Sequence, residues 1–208
     1  MPVTEKRAKV VRTGKGRRTH IPLRDQIRDT ARDLFAREGY ESVSMRRIGA
    51  EIGCSPMAIY RHYENKEELL LSICEETFNR MIQLLDKTRE KPGTRLEVLR
   101  MCVRTVLDFH ISHPNHYKVT FMTMMPPGPV AERKVAIGQQ VMDRLREGVR
   151  ECAEAKGIEV DVEMAAQIIR VAIHGLASSL ITTSKCYPWK DPERMKEEVI
   201  ATVTRQFE

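Results

Sequence analysis

The chain has 208 residues, 41% of them hydrophobic, 31% charged and only 5% aromatic, and its net charge is +6. That length suits one or two domains with a sizeable core, and the aliphatic, methionine-rich composition speaks against a β-sandwich. No run of about 18 apolar residues marks a membrane span, the basic N-terminus lacks an apolar signal core, and five scattered cysteines without C-x-x-C spacing read as reduced thiols, so a cytoplasmic protein is expected.

Residues 1–20 hold seven Lys and Arg and little apolar surface, so a flexible basic arm is expected. Pro22 opens a first helix in which Leu23, Ile27, Ala31, Leu34 and Phe35 recur at helical spacing, and Gly39 supplies a left-handed stop. Ser44 is an N-cap for a short second helix with Ile48 and Ile52 facing inward, ended by Gly53. Ser55 followed by Pro56 reads as the cap and first residue of a third helix. Asn65 with Glu68 resembles a capping box opening a long fourth helix, which carries Leu69, Leu70, Ile73, Phe78, Met81, Ile82 and Leu85.

Lys91-Pro92-Gly93 breaks the chain, and Thr94 with Glu97 starts a fifth helix through a second capping box. His113-Pro114 interrupts that helix and begins a sixth. Pro126-Pro127-Gly128-Pro129 is a loop, and an amphipathic stretch follows from Val130 to about Ala155, closed by Gly157. Asp161 caps the next helix, which runs to about Thr183, and Asp191-Pro192 caps the last. With no strand alternation or repeat, the prediction is an all-α fold of about nine helices. The expected divisions are a flexible basic arm over 1–20, a three-helix domain over 21–66 and a larger helical domain over 67–208.

Charge is unevenly placed. Through Lys66 there are 15 Lys and Arg against 8 Asp and Glu, a net of +7, whereas the remainder is −1. A basic end on a neutral body favours a polyanion at that end. The same end holds two short helices joined by a glycine turn, which describes a helix-turn-helix. Gly49 sits where two backbones must approach, Gly53 where the turn needs positive φ, and Ile59 where the next helix must plug the core.

The run from Ile48 to Leu70, IGAEIGCSPMAIYRHYENKEELL, resembles the DNA-binding domain of the TetR family of bacterial regulators, over about residues 21–70. The remaining two thirds matches in helical layout and weakly in His174-Gly175. The resemblance implies a dimer on a palindromic double-stranded operator, with the third helix in the major groove. Pro56, Met57 and Ala58 would meet base edges by apolar contact, and Arg46 would reach guanine or phosphate. Arg47 is a further candidate contact. Tyr60, His62 and Lys66 would hold phosphates, while Ser44 and Ser55 sit at helix N-termini suited to phosphate. Tyr63 is read as core. Pro56-Met57 replaces the polar or Lys-Gly pair of many relatives, which shifts sequence discrimination towards Arg46, Arg47 and the arm.

The resemblance also implies that 21–66 is the helix-turn-helix DNA-binding domain and 67–208 the ligand-binding and dimerisation domain, with the last two helices pairing a homodimer. The penultimate helix is apolar around most of its circumference, from Ala165 to Leu180, which suggests burial on both sides. Phe109, His113, Tyr117, Phe121, Met122, Met125 and His174 mix apolar bulk with polar tips and are the candidate pocket for a small, mostly apolar effector. Repression relieved by that ligand is the expected function. Two alternatives stand beside it: a metal-responsive protein using Cys102, His110, His113 and His116, and a helical protein-interaction module. No catalytic constellation or cofactor motif is found, so no enzyme and no cofactor are expected.

Overall fold

A computed structural model describes residues 21–183 and 186–208; the basic segment 1–20 lies outside the described residues. Among these the fold is all-α with nine α-helices and no strand. They are α1 (Leu23–Glu38), α2 (Met45–Ile52), α3 (Pro56–Tyr60), α4 (Lys66–Arg89), α5 (Arg95–Ser112), α6 (Pro114–Tyr117), α7 (Pro129–Lys156), α8 (Val162–Thr183) and α9 (Pro192–Thr204).

Local chemistry sets most of the helix starts. Side-chain oxygens of Ser44, Ser55, Asn65, Thr94, Asp161 and Asp191 each accept a hydrogen bond from the backbone N–H three residues on. Thr94 and Glu97 close a reciprocal box, with the Glu97 carboxylate accepting from the Thr94 backbone N–H at 2.7 Å. Asn65 and Glu68 form only half of one. The Glu68 carboxylate instead accepts from Arg133 of α7 at 2.8 Å, a tertiary partner that local spacing does not reveal. Gly53 ends α2 in the left-handed region (φ 80°, ψ 30°). Gly39 has positive φ but extended ψ (85°, 146°), so it ends α1 without the left-handed geometry expected.

Ile27, Ala31, Leu34 and Phe35 of α1 meet Ile48 of α2, Ile59 of α3 and Leu69, Leu70 and Ile73 of α4 in one core. Burying each large aliphatic side chain contributes about 1.5–3 kcal/mol. Tyr63 joins this core, and its hydroxyl donates to the Arg24 carbonyl at 3.2 Å.

The larger part is built on α4, α5, α7 and α8, with α9 packed on α5 and α8. Three ion pairs hold α4 and α7 parallel and in register: Glu68–Arg133, Asp86–Arg144 and Arg89–Glu151, at 2.8, 2.5 and 2.7 Å. α1 is tied to α4 through one carboxylate. Glu76 faces Arg28 at 2.9 Å, Arg32 at 3.6 Å and Arg80 at 2.6 Å. Asn115 of α6 donates to Asp33 of α1 at 3.1 Å.

Two features were not expected. After α6 the chain continues as a π-turn, Lys118–Met122, before the proline loop; such insertions concentrate at functional sites. α8 is long and apolar enough, by length and composition alone, to cross a membrane. Its Ala165, Ala166, Ile169, Ile173, Leu176, Ala177 and Leu180 are core residues of this bundle. Its other side is open in the single chain, where Met164, Ile168 and Val171 are 54%, 51% and 67% exposed.

Candidate functional site

The outward surface of α2 and α3 is shaped by the turn between them. The Gly49 carbonyl accepts from the N–H groups of Gly53 and Cys54, both at 2.9 Å. A Cβ on Gly49 would stand 2.8 Å from the Cys54 carbonyl oxygen and 3.4 Å from the Ile59 side chain. Ile59 points inward, so the opposite side of α3 is presented to solvent. Pro56, Met57 and Tyr60 are exposed, and Ala58 is half-buried. Met57, at 66%, is among the most exposed apolar side chains.

The remaining residues expected to touch DNA surround this face. Arg46 and His62 are exposed. Arg47 is engaged, bonding Glu51 at 2.6 Å and Glu38 at 3.2 Å. Lys66 donates to the Tyr40 carbonyl at 3.0 Å and sits 4.2 Å from the centre of the Tyr40 ring. Its three N–H donors leave it capable of a further contact. The Ser44 and Ser55 oxygens accept cap bonds, which leaves each O–H free to donate.

A cavity of about 590 Å³ runs between α4, α5, α7 and α8, within the range of small-molecule sites. Its wall along α5 extends from Arg95 through Val98, Leu99, Val103 and Val106 to His110. Fifteen residues at 1.5 Å each make this about 22 Å. One end is charged, with Arg89, Arg144, Arg146, Glu151 and Glu163; the other is aromatic, with Phe78, Phe121 and His174. Lys134 and Arg170 also line it and have no ion pair among the described residues.

Of the seven pocket candidates, Phe121, Met125 and His174 line the cavity. Phe109, His113, Tyr117 and Met122 do not. Phe109 is buried and stacks on His113, with ring centres 4.7 Å apart. Tyr117 donates its hydroxyl to the His174 carbonyl at 3.1 Å, behind the wall. Met122 is half exposed at the end of the π-turn. The walls supplied by α4 and α7, including Phe78, Val141 and Met142, were missed. Their apolar spacing is that of any core helix, and only the gap between helices distinguishes them.

The histidines face different partners. Thr77 gives its single hydroxyl proton to the Ile73 carbonyl at 2.9 Å and lies 3.0 Å from His116 Nδ1. Nδ1 must therefore carry the proton and donate. Thr120 donates to the same Thr77 oxygen at 3.0 Å. His113 Nδ1 lies 3.0 Å from the Phe109 carbonyl. His110 is 1% exposed and neither ring nitrogen has a hydrogen-bond partner among the described residues. Leaving such a group unpaired costs about 1–3 kcal/mol. Among the described residues no three His, Cys, Asp or Glu converge to hold a metal, and burial pushes the Cys102 thiol up to about 11.

Burial, aided by nearby His174, lowers His110 to about 3. Burial and the charges of Arg32 and Arg80 lower His116 to about 4. Below the ordinary value of 6.5 the unfolded chain takes up protons that the folded chain refuses, so stability falls as pH drops from 6.5 towards 4. Burial and the charge of Arg170 also lower His174 to about 4, and at pH 5.5 each of these three histidines costs about 1.4 kcal/mol. Urea unfolding is expected to show about 4 kcal/mol less stability at pH 5.5 than at pH 7.5; equal values would contradict this account.

A helix-turn-helix joined by one long helix to a cavity-bearing helical bundle defines a DNA-binding regulator. The profile described as "Bacterial regulatory proteins, tetR family" matches residues 27–73, and that described as "Tetracyclin repressor-like, C-terminal domain" matches residues 99–203. The chain belongs to the TetR family of bacterial transcriptional regulators. It is 28% identical over 182 residues to the HTH-type transcriptional regulator AcrR of Shigella flexneri, covering 82% of this chain and 84% of that protein. Its fold is similar to that of FadR from Bacillus subtilis, solved in complex with stearoyl-CoA, at a TM-score of 0.76 and 20% identity, covering 86% and 97% of the two chains. It is also similar to AibR, solved with isovaleryl coenzyme A and operator DNA, at a TM-score of 0.71 and 20% identity, covering 86% and 96%.

Proposed function

We propose that this protein is a cytoplasmic one-component repressor that binds a palindromic operator as a homodimer and is released by a small, mostly apolar ligand. The observation that carries the proposal is the outward face of α3, with Pro56, Met57 and Tyr60 exposed beside Arg46. In this reading Pro56, Met57 and Ala58 touch base edges, and Arg46, free of the carboxylates that hold Arg47, supplies hydrogen-bonded readout. Ser44, Ser55, Tyr60, His62 and Lys66 hold phosphates, and Arg47 joins them by exchanging its carboxylates for one.

The dimer forms through α8 and α9. Met164, Ile168, Val171 and Gly175 follow i, i+4, i+7 and i+11 along one stripe of α8, all exposed in the single chain. A Cβ on Gly175 would meet nothing within 4 Å, leaving room for a second helix to approach closely. The cavity is the effector site. FadR with stearoyl-CoA and AibR with isovaleryl coenzyme A support an acyl chain on an anionic head as the ligand class. Here the apolar wall of α5 suits the chain, and Lys134 and Arg170 suit the head.

Release works by population shift. Ligand favours a dimer whose reading helices no longer match successive turns of the duplex, and α4, shared by both parts, transmits the change. Weakening operator affinity about 100-fold needs about 2.7 kcal/mol of differential binding.

The test uses a duplex selected by the wild-type protein from random DNA. With about eight phosphates contacted, log affinity should fall against log salt with a slope of about −7. Lys66→Ala should weaken all sequences alike and flatten that slope by about 1. Arg46→Ala should in addition relax preference at one base pair, losing about 1–3 kcal/mol of discrimination. A slope near zero would remove DNA as the partner, and unchanged base preference in the Arg46 variant would remove its role as a reader.

A further inference from the structure

The apolar wall of α5 ends on a polar ring that packing does not explain. His110 is 1% exposed and lines the cavity at its aromatic end. The rings of Tyr117, Phe121 and His174 stand around it, with centres 4.9, 5.0 and 5.5 Å away. His113, His116 and His174 each place Nδ1 near an oxygen of the chain. Among the described residues, His110 alone of these four has both nitrogens without a hydrogen-bond partner. A phenylalanine would fill the same aromatic cluster without a buried donor and acceptor left over. What an imidazole adds here is therefore its N–H and its ring nitrogen.

Building on the cavity as the effector site, we infer that His110 is a specificity-determining contact for an uncharged oxygen, hydroxyl or carbonyl, on the apolar part of the ligand. A neutral imidazole offers one donor and one acceptor, which a hydroxyl or carbonyl oxygen can meet. Burial keeps the ring neutral at physiological pH, so a carboxylate placed against it would lose its water without gaining a countercharge from that ring. His174, also on the cavity wall, holds Nδ1 3.4 Å from the Tyr117 hydroxyl and leaves Nε2 as a second acceptor nearby. Phe121 covers His110 from the π-turn, so a ligand oxygen would reach the imidazole by displacing that ring. The ligand thereby touches the segment that packs on both α1 and α4.

The test compares 1-octanol with 1-chlorooctane, probes of similar shape that differ in hydrogen bonding, by calorimetry on the full-length protein. Wild type is expected to bind 1-octanol about tenfold more tightly. His110→Phe should bind the two alike while melting, without ligand, no lower than wild type. His110→Gln, which keeps a donor and an acceptor, should retain part of the preference. Equal binding of both probes by wild type, or a preference surviving in His110→Phe, would overturn the inference while leaving the cavity as a ligand site. A lower unliganded melting temperature for His110→Phe would also overturn it, by making the imidazole a structural group. If neither probe bound wild type, the cavity would be lost as an effector site, and this inference with it.

Discussion

Replacing Gly49 with alanine, and more severely with valine, is expected to cost operator binding about 100-fold or more while leaving the larger helical part folded. The new Cβ would stand 2.8 Å from the Cys54 carbonyl oxygen, a backbone atom that cannot rotate away. That atom belongs to the turn whose Gly53 and Cys54 N–H groups bond the Gly49 carbonyl. Relief can come only by moving α3 away from α2. Overpacking of this kind costs about 1–3 kcal/mol, which lowers the melting temperature by about 2–4 °C per kcal/mol in a chain of this size. Affinity suffers more than stability, because displacing α3 by about 1 Å misaligns every base contact at once. Thermal melting with electrophoretic mobility on the selected duplex gives both quantities. A Gly49→Val protein with wild-type affinity would show that the close helix approach does not position the reading face.

Ile168→Glu combined with Val171→Glu is expected to yield a folded monomer that has lost operator affinity by well over 100-fold. Both side chains point away from the core, at 51% and 67% exposed, so the single chain loses no packing. In a dimer they would be buried, each contributing about 1.5–3 kcal/mol per copy, and two glutamates per subunit facing their counterparts add unpaired buried charge costing several kcal/mol more. Without the dimer, the two reading helices are no longer held about 34 Å apart, and each half-site binds alone. Sedimentation should report about 24 kDa for the variant and twice that for wild type. A double-glutamate protein that remained dimeric would move the interface elsewhere.

Features written in short segments were legible before any coordinates. Ser44, Ser55, Asn65, Thr94, Asp161 and Asp191 cap helices because a side-chain oxygen needs only the next turn of its own backbone to find a partner. Gly49, Gly53 and Ile59 announce the helix-turn-helix because close approach, positive φ and a core plug each restrict residue type at fixed offsets. Tyr60 faces outward at the end of α3, on the side opposite Ile59, and Tyr63 enters the core from the turn just beyond it.

Features that depend on distant partners were not legible. Glu68 looks like half of a capping box but bonds Arg133, and Arg47 looks like a free contact but bonds Glu38, nine residues earlier. The expected lining runs from α5 through α6 and the π-turn to Met125, with His174 of α8, whereas the wall also draws on α4 and α7. A residue that lines a gap and one that fills a core share the same apolar spacing.

The sequence by itself determined the helices, their caps, the basic reading end and the family, since these rest on contacts within about one or two helical turns. Only the tertiary structure decided which stripe of α8 stays outside, where four helices leave a space, and that His110 is left without a partner among the described residues. Those are properties of how helices pack, set by distances between residues far apart in the chain, and no local pattern encodes them.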